Sequence, residues 1–124
     1  MITARVHPGE TPASHVLRGI LDVLTREGDP RTDALLRHFV FKIIPVLNPD
    51  GVANGHYRAD SQGLNLNRCY ADPSPEVHPT VFAARRLVMH HAAAGSLGLY
   101  LDLHAHINKR GCFLFGNFIE DAAR

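Results

Sequence analysis

Residues 39–47 read FVFKIIPVL, an almost unbroken apolar run rich in β-branched side chains. A strand of that composition is one covered on both faces, the condition of a strand in a parallel sheet with helices above and below. Three other stretches have strand character. Residues 2–6 (ITARV) predict a strand ending at His7, residues 99–103 (LYLDL) one that delivers His104 at its carboxyl end, and residues 112–115 (CFLF) a further one. Helical patterns separate them. Thr11-Pro12 offers a capping hydroxyl and then a proline at the first turn, and Val16, Leu17, Ile20, Leu21 and Leu24 follow at helical spacing. A short helical turn is predicted after Asp29-Pro30, with Leu35 and Leu36 inward. Another helix is predicted from Pro79, with Val81, Ala84 and Val88 on one face, Phe82 and Met89 beside it, and Gly95 and Gly98 marking its end. Strands alternating with helices predict an α/β fold: a mixed, largely parallel sheet flanked by helices.

Composition narrows the function. The 124 residues fit one domain or a piece of one, and 45% hydrophobic with 20% charged residues is the balance of a globular chain. Net charge is +1 with no long basic run, so nothing points to nucleic acid. No apolar stretch approaches the roughly 20 residues needed to span a bilayer. The N-terminus lacks the apolar core of a secretory signal, and Cys69 and Cys112 are expected to be reduced thiols in a cytoplasmic protein. The nine histidines justify a search for metal chemistry.

In open parallel sheets, ligands gather beyond the carboxyl ends of the strands. His7 follows the first predicted strand, the turn Asn48-Pro49-Asp50-Gly51 follows the second, and His104 follows the third. Catalytic zinc takes three imidazole or carboxylate ligands and keeps one position open. His7-Pro8-Gly9-Glu10 supplies two candidates, in a tight turn because Pro8 and Gly9 disfavour a helix, and His104 supplies a third. His106 competes with His104, since both would share a face of a regular strand. Asp102 is either a carboxylate that orients a ligand histidine or a buried strand acid paired with an arginine. A long polar stretch, residues 52–79, shows no convincing regular element and holds Arg58, Asn67 and Arg68. Arginine binds carboxylates through a rigid fork of donors, and asparagine adds an amide.

HPGET, NPDGV, HYRADSQGLNLNR and DLHAHINKRGCF, taken together and in this order, resemble the cytosolic carboxypeptidases of the carboxypeptidase A-like zinc peptidase superfamily, the group that removes glutamate from tubulin. The HPGETPAS and HINKRGCFLFGN wording is most similar to its branch-point deglutamylating members. The resemblance implies zinc on His7, Glu10 and His104, with Arg58 polarising the scissile carbonyl and Asn67 and Arg68 holding the substrate's terminal carboxylate. It implies a protein or peptide substrate with an acidic C-terminus, tubulin among them, a cytoplasmic location, and no nucleic-acid or membrane partner. Lys109 and Arg110 are candidates for an acidic side-chain pocket.

Two departures stand out. Ala105 replaces the family's usual glycine between the two histidines. The family's general-base glutamate and capping tyrosine lie well downstream of the third ligand, whereas Glu120 and Asp121 are the only acids after His104 and sit in no matching motif. Residues 1–124 are therefore expected to be a partial catalytic domain, without its C-terminal half and the preceding β-rich domain, and by itself a weak zinc binder with little peptidase activity. The rival readings are a zinc acylase of the aspartoacylase type, which uses a similar His-x-x-Glu and distant histidine, and an inactive fragment or binding module for acidic tails.

Overall fold

The computed structural model describes residues 1–116. Its centre is a three-stranded sheet in the order β2-β1-β3, with β1 at Ile2–Ala4, β2 at Ile43–Ile44 and β3 at Leu101–Leu103. Both pairings are parallel, with Ile2 opposite Ile43 and Leu101, and Thr3 opposite Ile44 and Asp102. The carboxyl ends of the strands thus share one edge.

Alternation along the strands sorts the two faces. Ile2, Ala4, Ile43, Leu101 and Leu103 pack with Ala13 and Leu17 of helix α1 (Thr11–Leu24). On the other side, Met1 and Ile44 join Val6, Leu47 and Leu66, along with Val81 and Ala84 of helix α4 (Pro79–Ala93). Leu47, Val6 and Val81 are fully buried, each contributing about 1.5–3 kcal/mol by leaving water. Helix α2 (Pro30–His38) follows α1 and is capped by Asp29, whose carboxylate accepts the N–H of Arg31.

Several boundaries differ from the sequence expectation. β1 stops at Ala4 because Arg5 takes φ 57°, a left-handed conformation that breaks the ladder. The apolar run 39–47 forms only two ladder residues: Pro45, which has no N–H to donate, follows Ile44 directly. Phe39 and Val40 are exposed, so this outer strand is not covered along its length. Leu99 is exposed ahead of β3, and residues 112–115 form no strand. Thr11 lies inside α1 and caps nothing; Glu10 is the capping position, and its side chain makes no cap bond. Val16, Leu21 and Leu36 face solvent, while Leu17 and Leu24 are buried. Within residues 48–79, Pro49–Ala53 forms a one-turn helix, α3, and Leu66–Arg68 a turn of 3-10 helix. No helix among the described residues is long and apolar enough to cross a membrane.

Candidate metal centre

The first element of the site is the turn His7-Pro8-Gly9-Glu10, closed by the N–H of Glu10 on the carbonyl of His7 at 3.2 Å. Three neighbours hold it. The Arg5 guanidinium donates twice to the Pro8 carbonyl and once, at 2.7 Å, to Ser14 Oγ on α1. These bonds offset the ~1–3 kcal/mol that a non-glycine residue pays in the left-handed region. Asn48, buried, accepts the Gly51 N–H at 2.9 Å and donates to the Val6 carbonyl at 3.3 Å, so α3 is fastened beneath the turn. A side chain at Gly51 would come within 2.6 Å of Asn48 Oδ1 and 2.9 Å of the Ala59 carbonyl, which explains the glycine. The Gly9 N–H donates to the Tyr57 carbonyl at 2.7 Å, bringing the Arg58 segment alongside.

The Glu10 carboxylate is the hub. His7 Nδ1 lies 2.8 Å from Oε1, and His104 Nδ1 lies 3.0 Å from Oε2. Oε2 also accepts the Ala105 N–H at 2.8 Å, and Arg58 Nη1 stands 4.0 Å from Oε1. One donor atom from each of His7, Glu10 and His104 lies within 4.8 Å of the others. His7 is buried, and His104 opens to solvent with its side chain 31% exposed. The turn aims both of its side chains at one point, as its spacing predicts, and β3 delivers His104 to the same place.

The protonation pattern can be deduced from the partners. Asn65 Oδ1 accepts the Asn67 backbone N–H at 3.1 Å, which fixes the orientation of its amide, and the same oxygen faces His7 Nε2 at 3.1 Å. His7 Nε2 must therefore carry the hydrogen. Asp102 Oδ2 faces His104 Nε2 at 2.8 Å and likewise accepts. In both neutral rings the Nδ1 lone pair is left pointing at a carboxylate oxygen. Lone pairs facing a carboxylate need a cation between them, either a proton or a metal ion. The Asp102 carboxylate on Nε2 holds the His104 imidazolium above its usual pKa, against the opposing effect of burial, and Glu10 adds to it. Two imidazoles and a carboxylate form a donor set that suits zinc.

Of the other sequence candidates, Asp102 pairs with Thr3 and His104, with no arginine among its partners in the described residues. His106 is exposed and packs its ring 5.8 Å from that of Phe113, so it lies apart from the His-Glu-His group; β3 ends before it and strand alternation no longer applies. Arg68 is exposed and donates to the Asn67 carbonyl at 3.1 Å. Lys109 stacks 5.0 and 4.6 Å over the rings of Phe113 and Phe115. Cys69 and Cys112 are free thiols. Glu120 and Asp121 lie outside the described residues. Sequence reasoning missed Asn65 and Arg5. The first was legible as the residue alternating with Asn67 in NLNR, and the second as a charge set within an apolar run.

Residues 1–108 match the zinc carboxypeptidase family, and the chain belongs to it. It is 47% identical over 125 aligned residues to cytosolic carboxypeptidase 6 of Mus musculus, an alignment taking in 99% of the chain and 23% of the relative. It is 53% identical over 97 residues to cytosolic carboxypeptidase-like protein 5 of Danio rerio, covering 78% of the chain and 11% of the relative. The chain thus spans a quarter or less of these relatives. A crystal structure of a putative carboxypeptidase A from Shewanella denitrificans superimposes with a TM-score of 0.76 at 40% identity, over 85% of the chain and 27% of that structure.

Proposed function

We propose that this chain carries the zinc site and the substrate-end grip of a metallocarboxypeptidase acting on acidic protein C-termini in the cytoplasm. The observation that carries the reading is the pair of imidazole Nδ1 atoms converging on the single carboxylate of Glu10. His7, Glu10 and His104 would hold the metal, which when bound supplies Lewis-acid activation of a carbonyl and a water at neutral pH. Each remaining residue has a role its chemistry suits. Asn65 and Asp102 keep the Nε2 hydrogens in place, so both rings stay in the tautomer that leaves Nδ1 free to ligate. Arg58, 4.0 Å from Glu10, adds positive charge where an oxyanion would develop, an effect worth about 3 kcal/mol per donor. Asn67 and Arg68 grip the peptide's terminal carboxylate, the guanidinium turning from the Asn67 carbonyl to a bidentate partner. The His7–Asn65–Asn67 hydrogen bonds couple that grip to the metal ligand.

Glutamate as the released residue, at a linear end or a branch point as on tubulin, is the finer reading. The exposed cations Arg58 and Arg68 support it, as do relatives named cytosolic carboxypeptidases. Two measurements on the chain test the proposal. Zinc is expected to bind one to one and to be lost in His104→Ala; a variant that keeps stoichiometric zinc excludes the ligand set. Fluorescent peptides ending in free glutamate, in amidated glutamate, in leucine, or in a branched glutamate are then titrated onto the zinc-loaded chain. The free glutamate ends should bind tightest and lose their advantage in Arg68→Ala. Equal binding of the amidated peptide would exclude the carboxylate grip.

A further inference from the structure

A line of polar groups crosses the face of the sheet turned toward α4 and runs from the interior to the metal centre. Thr3 sits at the middle of β1, fully buried, in register with Asp102 of β3. Its Oγ1 lies 2.7 Å from Asp102 Oδ1 and 3.0 Å from the hydroxyl of Tyr100, two residues before Asp102 and on the same face. The directions of these bonds follow from chemistry. An ionised carboxylate only accepts, so the Thr3 hydroxyl must donate to Asp102. Its single hydrogen is then used, so the Tyr100 hydroxyl donates to Thr3. The other oxygen of Asp102 accepts from His104 Nε2 at 2.8 Å. One oriented chain results: Tyr100 to Thr3, Thr3 to Asp102, with His104 donating to Asp102 from the far side.

We infer that Thr3 is a positioning residue for the metal centre, fixing the Asp102 carboxylate so that His104 is held by Nε2 and presents Nδ1 beside Glu10. Three features favour this role over simple satisfaction of a buried hydroxyl. A threonine in β1 could have bonded the backbone, yet the Leu101 carbonyl it faces is 3.5 Å away, far longer than the 2.7 Å Asp102 contact. Asp102 is 19% exposed at its side chain and can rotate unless Oδ1 is tied. Its two oxygens meet two different partners, so loss of one frees the carboxylate to turn about its last bond. Linked hydrogen bonds in a partly buried setting also polarise one another, which strengthens the bond to the imidazole. The inference rests on the proposed zinc site and adds to it a residue one step beyond the group that touches the ligand.

The test compares Thr3→Ser with Thr3→Ala, which differ only by the hydroxyl, and adds Thr3→Val, which keeps the shape of threonine. Zinc affinity is measured by chelator competition on the full chain, with His104→Ala as reference. Partners of metal-bound histidines typically govern affinity by about 10–100-fold, and the lower end is expected here for Ala and Val, with Ser near the parent. Imidazole nitrogen NMR of the metal-free chain, taken at a pH high enough to leave the ring neutral, reads the tautomer: His104 should be Nε2-protonated in the parent and in Ser, and mixed in Ala and Val. Thermal melting reports the fold separately. Equal zinc affinity and an unchanged His104 tautomer in Thr3→Ala, whatever its melting temperature, would overturn the inference. Should Ala and Val both fail to fold, Thr3→Cys, whose thiol is only a weak donor, must weaken zinc relative to Thr3→Ser; equal affinities there also overturn it. If the parent binds no zinc, or His104→Ala binds as well as the parent, the metal-site proposal itself fails, an outcome distinct from a silent Thr3.

Discussion

Gly9→Ala should destabilise the protein although its backbone conformation is open to alanine. A β-carbon at Gly9 would sit 2.7 Å from Tyr57 Cδ2, 2.8 Å from the Tyr57 carbonyl oxygen and 3.2 Å from Tyr57 Cα. Two of those atoms are backbone, so no rotamer change relieves the contact. Restoring an ordinary carbon contact of about 3.5 Å moves Tyr57 by roughly 0.7 Å. That displacement stretches the 2.7 Å bond from the Gly9 N–H to as much as about 3.4 Å, past the ordinary range, and weakens it. Overpacking costs about 1–3 kcal/mol and the hydrogen bond about 1 kcal/mol. The reduced freedom of the unfolded alanine chain returns about 0.4–1 kcal/mol. The net is a loss of about 1–3.6 kcal/mol, or roughly 3–14 °C in melting temperature for a chain of this size. Arg58 follows Tyr57, so the variant should also draw the guanidinium away from Glu10. Gly19→Ala is the control: it lies exposed within α1 with no atom within 4 Å of the added carbon. It should stabilise by about 0.5–1 kcal/mol through helix propensity. Thermal melts of the two variants must move in opposite directions. A Gly9→Ala protein as stable as the parent would refute the reasoning about the Tyr57 contact.

Asn65→Ala removes the acceptor for His7 Nε2 and should lower zinc affinity by about 10–100-fold, read by chelator competition; an unchanged affinity would show that Asn65 does not set the tautomer. Leu47→Ala, at a fully buried position against Val6, Leu66 and Val81, should cost about 2–5 kcal/mol in denaturant unfolding. The raised pKa of His104 gives a pH signature in the metal-free chain. Its charged form is favoured by folding, so the contribution is fully present below the unfolded value of 6.5 and is lost as pH rises through the higher folded value. Asp102→Asn removes the first cause of the shift and should flatten the pH dependence of stability across that window. Zinc affinity runs the other way and rises with pH, because the ligand nitrogen must be deprotonated.

The fold class and the convergence of the His-Glu-His group were legible for different reasons. Alternation of apolar runs with helical spacing carries the sheet order only loosely, yet His7, Glu10 and His104 each follow a recognisable element and reach one point. Strand lengths were hidden because apolar content does not report ladder bonding: Pro45 and the left-handed Arg5 end two strands that composition extends. The cap at Thr11 was misread because Glu10 fills the capping position while its carboxylate is taken up by the two histidines. Asn65 and Thr3 were hidden because their roles depend on register and rotamer. The pairing of Thr3 with Asp102 exists only once β1 and β3 lie side by side, 99 positions apart in sequence.

The most direct test of the metal centre is a crystal structure of the zinc-loaded chain with anomalous data at the zinc edge. The expected result is a single strong peak bonded to Nδ1 of His7, Nδ1 of His104 and the carboxylate of Glu10, with both Nε2 atoms still on Asn65 and Asp102. A peak on His106 or Cys112, or ligation through either Nε2, would contradict it.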